Sequence, residues 1–92
     1  MDIVDIRILD EEKLEVKHGV KTREVFEVFD NNPRIFFDEK GNVPGEDVYA
    51  ALGQTFAGRY MTVFFIYKKN RIALVTSSRD MSVKERRRYG KK

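Results

Sequence analysis

The stretch DVYAALGQTFAGRYMTVFFIYKKNRIALVTSSRD, Asp47 to Asp80, decides how this chain folds. It divides into three segments, DVYAALGQT, RYMTVFFIY and RIALVTSS, of which the second is the most apolar in the chain. β-branched and aromatic residues bounded by glycine, asparagine and charged residues have the composition of strands. The connections, around FAG and KKN, are short. Parallel neighbours need a long crossover, so short connections predict antiparallel hairpins.

Working outward, DIVDIRIL alternates apolar and polar from Asp2 to Leu9, the pattern of a first strand. DEEKLEVKHG reads as a short helix, with acids in its first turn, Lys17 and His18 in its last, and Gly19 as a left-handed cap. Thr22 is the expected N-cap of REVFEVFD, whose Val25, Phe26, Val28 and Phe29 share an apolar face. DNNP ends that helix, because proline restricts the residue before it. RIFF is a strand, and DEKGNVPGE after it is turn chemistry. Downstream, Ser82 and Glu85 have capping-box spacing, which predicts a terminal helix over SVKERRRY. Gly90 ends it and leaves Lys91 and Lys92 as a tail. The expected architecture is one α+β domain over residues 1–92: an antiparallel sheet with two N-terminal helices and a short C-terminal helix, the helices packed on one face.

Ninety-two residues with 41% apolar and 36% charged content suit a single globule. No apolar run approaches the roughly 20 residues that cross a bilayer, so no membrane association is expected. The opening MDIVDIRILDEE has no basic leader segment, and the chain has no cysteine. Both features point to the cytoplasm. The net charge of +3 hides an asymmetry: residues 1–78 carry net −2 and residues 79–92 net +5. Local basicity of this kind is the footprint of a polyanion binder, and equally of a solubilising end.

Several chemistries lack their signatures. There is no nucleophile elbow, no Gly-rich dinucleotide loop and no P-loop. One histidine among scattered acids has no metal-ligand spacing, so no metal and no cofactor are expected. RNA cleavage can proceed without either, because the neighbouring 2′-hydroxyl supplies the nucleophile. Arginine suits the developing phosphorane charge, since its fork matches phosphate oxygens. Strand alternation places Arg59, Met61, Val63, Phe65 and Tyr67 on one face, and Arg71, Ala73, Val75, Ser77 and Arg79 on one face of the next strand. A hairpin would then gather Arg59, Tyr67, Arg71 and Arg79, unless the register slips by one residue.

Three segments together carry a family resemblance: KHGV before REVFEVFDNNP, then GEDVYAALGQTFAGRYMTVFFIYK, then RIALVTSSRDMSVKERRRY. They resemble the BrnT toxins, ribonucleases of type II toxin–antitoxin systems related in fold to the RelE toxins. The most specific piece is Ser77, Arg79, Ser82, Glu85 and Tyr89. The resemblance spans about Asp10 to Tyr89. Where the family commonly has a Trp-Asp pair, this chain has Leu9 and Asp10.

The resemblance implies a RelE/BrnT-like fold, metal-independent RNA cleavage, and silencing by an adjacent-gene antitoxin of ribbon-helix-helix type. A homo-oligomer stays open. It implies catalytic roles for Arg79 and Arg59 on the scissile phosphate and for His18 or Tyr67 in proton transfer. Tyr89, which matches the family's terminal helix, is an RNA-binding candidate, and so are Arg71 from the hairpin face and Arg86 and Arg87 from the basic helix. Two other readings remain. One is a non-catalytic module that binds RNA or a partner protein, and the other is a domain whose basic helix serves solubility.

Overall fold

The computed structural model describes residues 1–91; Lys92, read above as part of the tail, lies outside the described residues. In chain order the elements are β1 (Asp5–Ile8), α1 (Glu11–His18), α2 (Thr22–Asp30), β2 (Arg34–Glu39), β3 (Val48–Gln54), β4 (Tyr60–Tyr67), β5 (Ile72–Asp80) and α3 (Val83–Gly90). The fold is α+β, as expected. No described helix is long and apolar enough to cross a membrane.

The five strands form one sheet in the order β1-β5-β4-β3-β2. The three strands of the Asp47–Asp80 stretch are antiparallel neighbours, and β2 adds antiparallel to β3. The sheet is nevertheless mixed, which corrects the antiparallel expectation: β1 pairs parallel with β5, Asp5 opposite Ile72 and Ile8 opposite Val75. Alternation identifies a strand and its buried face but not its neighbour. The chain leaves β1 through α1 and α2 and re-enters the sheet at the opposite edge, so β1 is free to dock beside the last strand.

The helices cap largely as the sequence suggests. The Asp10 carboxylate accepts from the Lys13 amide, and Gly19 takes a left-handed φ of 62° at the end of α1. At α2 the N-cap is Lys21, not Thr22. The Glu24 carboxylate accepts from the Lys21 amide at 3.0 Å, which fixes the helix start one residue early. At α3 the capping box forms in both directions: the Glu85 amide donates to Ser82 Oγ at 3.1 Å and the Ser82 amide donates to Glu85 Oε1 at 2.8 Å.

The core lies between α1–α2 and one sheet face. Leu14, Val25 and Val28 from the helices meet Ala51, Met61, Val63, Phe65, Ala73 and Val75 from the strands. Phe29 packs edge-on against Phe65 with centroids 5.4 Å apart. The helix α3 does not join that layer. It crosses the opposite face, where the Glu85 carboxylate accepts from the buried Thr62 hydroxyl and Tyr89 packs edge-on against Tyr60. The expectation of helices on one face only is therefore corrected.

The reason is a bulge in β5. Phe64 pairs with Ser77 and Phe65 with Val75, so Thr76 is an extra residue in β5. A slip of one residue exchanges the faces of everything beyond it. Ala73 and Val75 face the core, and after the bulge Ser78 does, fully buried against it. Arg79, paired with Thr62, is sent to the α3 side.

Candidate nucleic-acid site

The four residues expected on one face are not brought together. Tyr67 and Arg71 lie at the far end of the β4–β5 hairpin. There the Tyr67 hydroxyl donates to the Asp2 carbonyl, and Arg71 Nη1 donates to the Asp2 carboxylate at 2.7 Å. Arg71 also has a left-handed φ of 66° in the turn, its amide donating to the Lys68 carbonyl. These contacts fasten the N-terminal segment to the hairpin. Tyr67 is seven strand steps along β4 from Tyr60, about 23 Å at roughly 3.3 Å per residue. No single phosphate spans that distance.

Arg59 and Arg79 share the other end of the sheet, on opposite faces, and meet at Asp80. Arg59 Nε donates to the Asp80 carboxylate at 2.7 Å. Arg79 Nη1 donates to the Asp80 backbone carbonyl at 3.2 Å. On the core side, Arg59 Nη1 also reaches both Glu24 carboxylate oxygens and the Gly19 carbonyl, each at 3.0 Å. Arg59 thus braces β4 against α2 and the end of α1. His18 is exposed one residue before Gly19, so it sits at this brace but outside the α3 face.

On the α3 side, Arg79 and Glu85 form a bidentate fork, Nη1–Oε1 2.6 Å and Nη2–Oε2 3.0 Å. Burial alone would raise the Glu85 carboxyl. The Arg79 fork, the Ser82 amide and the Thr62 hydroxyl outweigh it and hold the group at about 2. The Glu85 charge pushes Arg79 further above its ordinary value. Arg59 is raised first by its bond to Asp80 and then by Glu24. Both guanidiniums are permanently charged, oriented and already paired. Among the described residues, Arg79 Nε and Arg59 Nη2 make no hydrogen bond, so each arginine keeps donor capacity toward a ligand.

Around Arg79 the strands present aromatic rings to α3, and arginines stack on them. The Arg86 guanidinium lies 3.3 Å from the Tyr60 ring centroid and that of Arg88 lies 3.6 Å from the Phe36 centroid. Arg79 itself lies 5.1 Å over Phe64. Arg34 Nη1 donates to the Arg88 and Tyr89 carbonyls at 3.0 and 3.3 Å, a cation at the negative end of the helix. Arg87 is exposed and forms no ion pair among the described residues. Of the sequence candidates, Arg79, Arg86 and Tyr89 meet at this face, and Arg87 lies exposed on α3 without a contact to the sheet among the described residues.

Arg34, Thr62 and the rings of Phe36, Tyr60 and Phe64 belong to this arrangement and were not named as candidates from the sequence, whereas Arg88 was read only as part of the basic helix. Glu85 was visible through its cap spacing and its family match, and both signalled a helix rather than an arginine partner. The arrangement is chemically suited to a chain of phosphates: stacked guanidiniums lose part of their hydration yet keep their edges open.

A family model described as the ribonuclease toxin BrnT of type II toxin–antitoxin systems matches residues 10–85. No curated protein matches the chain. The matched span runs from the N-cap of α1 to Glu85 and takes in the core, the sheet from β2 to β5 and the Arg79–Glu85 fork. The chain belongs to the BrnT family, the ribonuclease toxins of type II toxin–antitoxin systems.

Proposed function

We propose that this protein is a metal-independent endoribonuclease that acts in the cytoplasm and is neutralised by a cognate antitoxin of ribbon-helix-helix type. The observation that carries the reading is the α3 face, where an oriented Arg79 lies over Phe64, with Arg86 stacked on Tyr60 and Arg88 on Phe36. RNA backbone would lie along α3 on Arg86, Arg87 and Arg88, with the scissile phosphate on Arg79. Arg59 assists from the sheet edge through its open Nη2. In the step we favour, the 2′-oxygen attacks phosphorus and loses its proton to a base. The bond to the 5′-oxygen breaks, that oxygen gains a proton, and a 2′,3′-cyclic phosphate and a 5′-hydroxyl result.

Neither sequence candidate for proton transfer faces Arg79: the Tyr67 hydroxyl is engaged and distant, and His18 lies at the Arg59 brace outside the α3 face. Metal independence rests on the chemistry, in which the 2′-hydroxyl supplies the nucleophile and arginine stabilises the developing charge. The kinship with RelE toxins belongs to the same proposal and is supported by the helix-flanked sheet with its arginine-bearing face.

The test is cleavage of RNA by purified protein in excess chelator, with end-group analysis of the products. Loss of cleavage on chelation sinks metal independence. An Arg79→Ala variant that folds and cleaves like wild type sinks the role of Arg79. RNA binding with no cleavage under any condition leaves the non-catalytic reading in place.

A further inference from the structure

We propose that Phe56 is a base-stacking residue of the RNA site, an inference that rests on the ribonuclease reading above. Phe56 lies at the tip of the β3–β4 turn and is 67% exposed. Its ring contacts no other ring and no guanidinium among the described residues. Phe37, also exposed, at least packs edge-on against Tyr49. A lone ring held in water is an unusual use of the most apolar kind of side chain.

The turn beneath it is fixed. The Thr55 amide donates to the Arg59 carbonyl and the Gly58 amide to the Thr55 carbonyl, both at 2.9 Å. The Arg59 amide donates to Thr55 Oγ1 at 3.0 Å, with Thr55 itself only 2% exposed. The Phe56 amide donates to the Glu27 carboxylate of α2 at 3.0 Å. The ring is therefore presented in one place by an ordered backbone, which lowers the entropy lost when something stacks on it.

Its place gives the ligand class. The turn closes on Arg59, and Tyr60 beyond it carries Arg86. Asp80 links Arg59 to Arg79 at the same sheet end. An exposed ring three residues from Arg59, at the sheet end where Arg59 and Arg79 both reach Asp80, fits single-stranded RNA, whose bases stack on aromatic faces while cations take the phosphates. A protein partner would favour a continuous apolar patch.

The chain contains no tryptophan, so Phe56→Trp gives a single fluorescent reporter at the turn. The probe is a mixed-sequence 2′-O-methyl decanucleotide, which cannot be cleaved. Its binding is followed separately by anisotropy of a labelled copy, and inorganic polyphosphate serves as the base-free control. The expected result is quenching of the tryptophan by the oligonucleotide and none by polyphosphate. Phe56→Ala should weaken oligonucleotide binding by about 5- to 150-fold, the equivalent of one stacked base, and Phe56→Tyr should restore it. Binding without quenching, equal quenching by polyphosphate, or unchanged affinity in a folded Phe56→Ala variant each overturns the proposal while the RNA reading stands. No anisotropy change at any concentration removes RNA binding and the role of Phe56 together.

Discussion

Replacing Glu85 by glutamine should remove the part of this protein's acid sensitivity that the Glu85 carboxyl contributes. Glu85 accepts from Arg79 twice, from the Thr62 hydroxyl and from the Ser82 amide. Its carboxyl is held at about 2, against 4.5 as its ordinary value. A depressed carboxylate contributes stability that is fully present above its unfolded value and is lost as pH falls toward its folded one. The window is therefore pH 4.5 down to about 2. Converted in full, the shift amounts to roughly 3 kcal/mol. The pair is partly solvated, with 41% of the Arg79 side chain and 20% of the Glu85 side chain exposed, so screening reduces this to about 1–2 kcal/mol. Glutamine keeps the shape but has no charge, and its amide nitrogen cannot accept from Arg79 or Thr62.

Urea unfolding at a series of pH values measures the effect. At pH 7 Glu85→Gln should be less stable by about 1–2 kcal/mol, which for a domain of this size lowers Tm by roughly 4–15 °C. The difference between the two proteins should shrink steadily below pH 4.5 and nearly vanish at pH 2. A variant equal to wild type at pH 7 would refute the assigned strength of the fork. A difference of the same size at pH 7 and at pH 2 would refute its electrostatic origin, leaving only packing.

Other outcomes follow from the same geometry. Ser82→Ala removes the acceptor for the Glu85 amide and should cost about 0.5–2 kcal/mol in denaturant unfolding, with α3 released first in hydrogen exchange. Arg87→Ala, which breaks no ion pair among the described residues, should leave stability within about 0.5 kcal/mol of wild type. It should reduce the slope of log affinity for single-stranded RNA against log salt by about 0.7, and an unchanged slope would remove Arg87 from the phosphate path. Met61→Ala opens the fully buried layer under α2 and should cost about 2–5 kcal/mol, read by thermal melting.

Much of the fold was legible because its signals are local. Alternation marked the strands, Asp10 and Gly19 bounded α1, and the Ser82–Glu85 spacing gave the start of α3 residue for residue. Thr22 misled by one residue, because the α2 cap depends on Glu24 reaching back to the Lys21 amide rather than on a hydroxyl. The site was legible only in part. Arg79, Arg86, Arg87 and Tyr89 were named from charge and family likeness and do share α3 or its face. Arg34 was invisible, since what distinguishes it is contact with the end of a helix, and Arg88 was legible only as one of a run of arginines, not as the one that stacks on a ring from another strand.

What the chain's order of residues determined by itself was the set of elements, their caps and the pairing of β3, β4 and β5, all consequences of periodicities and connections a few residues long. Tertiary structure alone decided where β1 docks, on which face α3 lies, and which arginines meet. For the helix face and the arginines the physical reason is one extra residue. With Thr76 bulged, β5 turns Arg79 away from the core face that Arg59 occupies and toward Thr62 and Glu85. A bulge is set by the fit of two strands against a packed core, a long-range condition that no local pattern in either strand records.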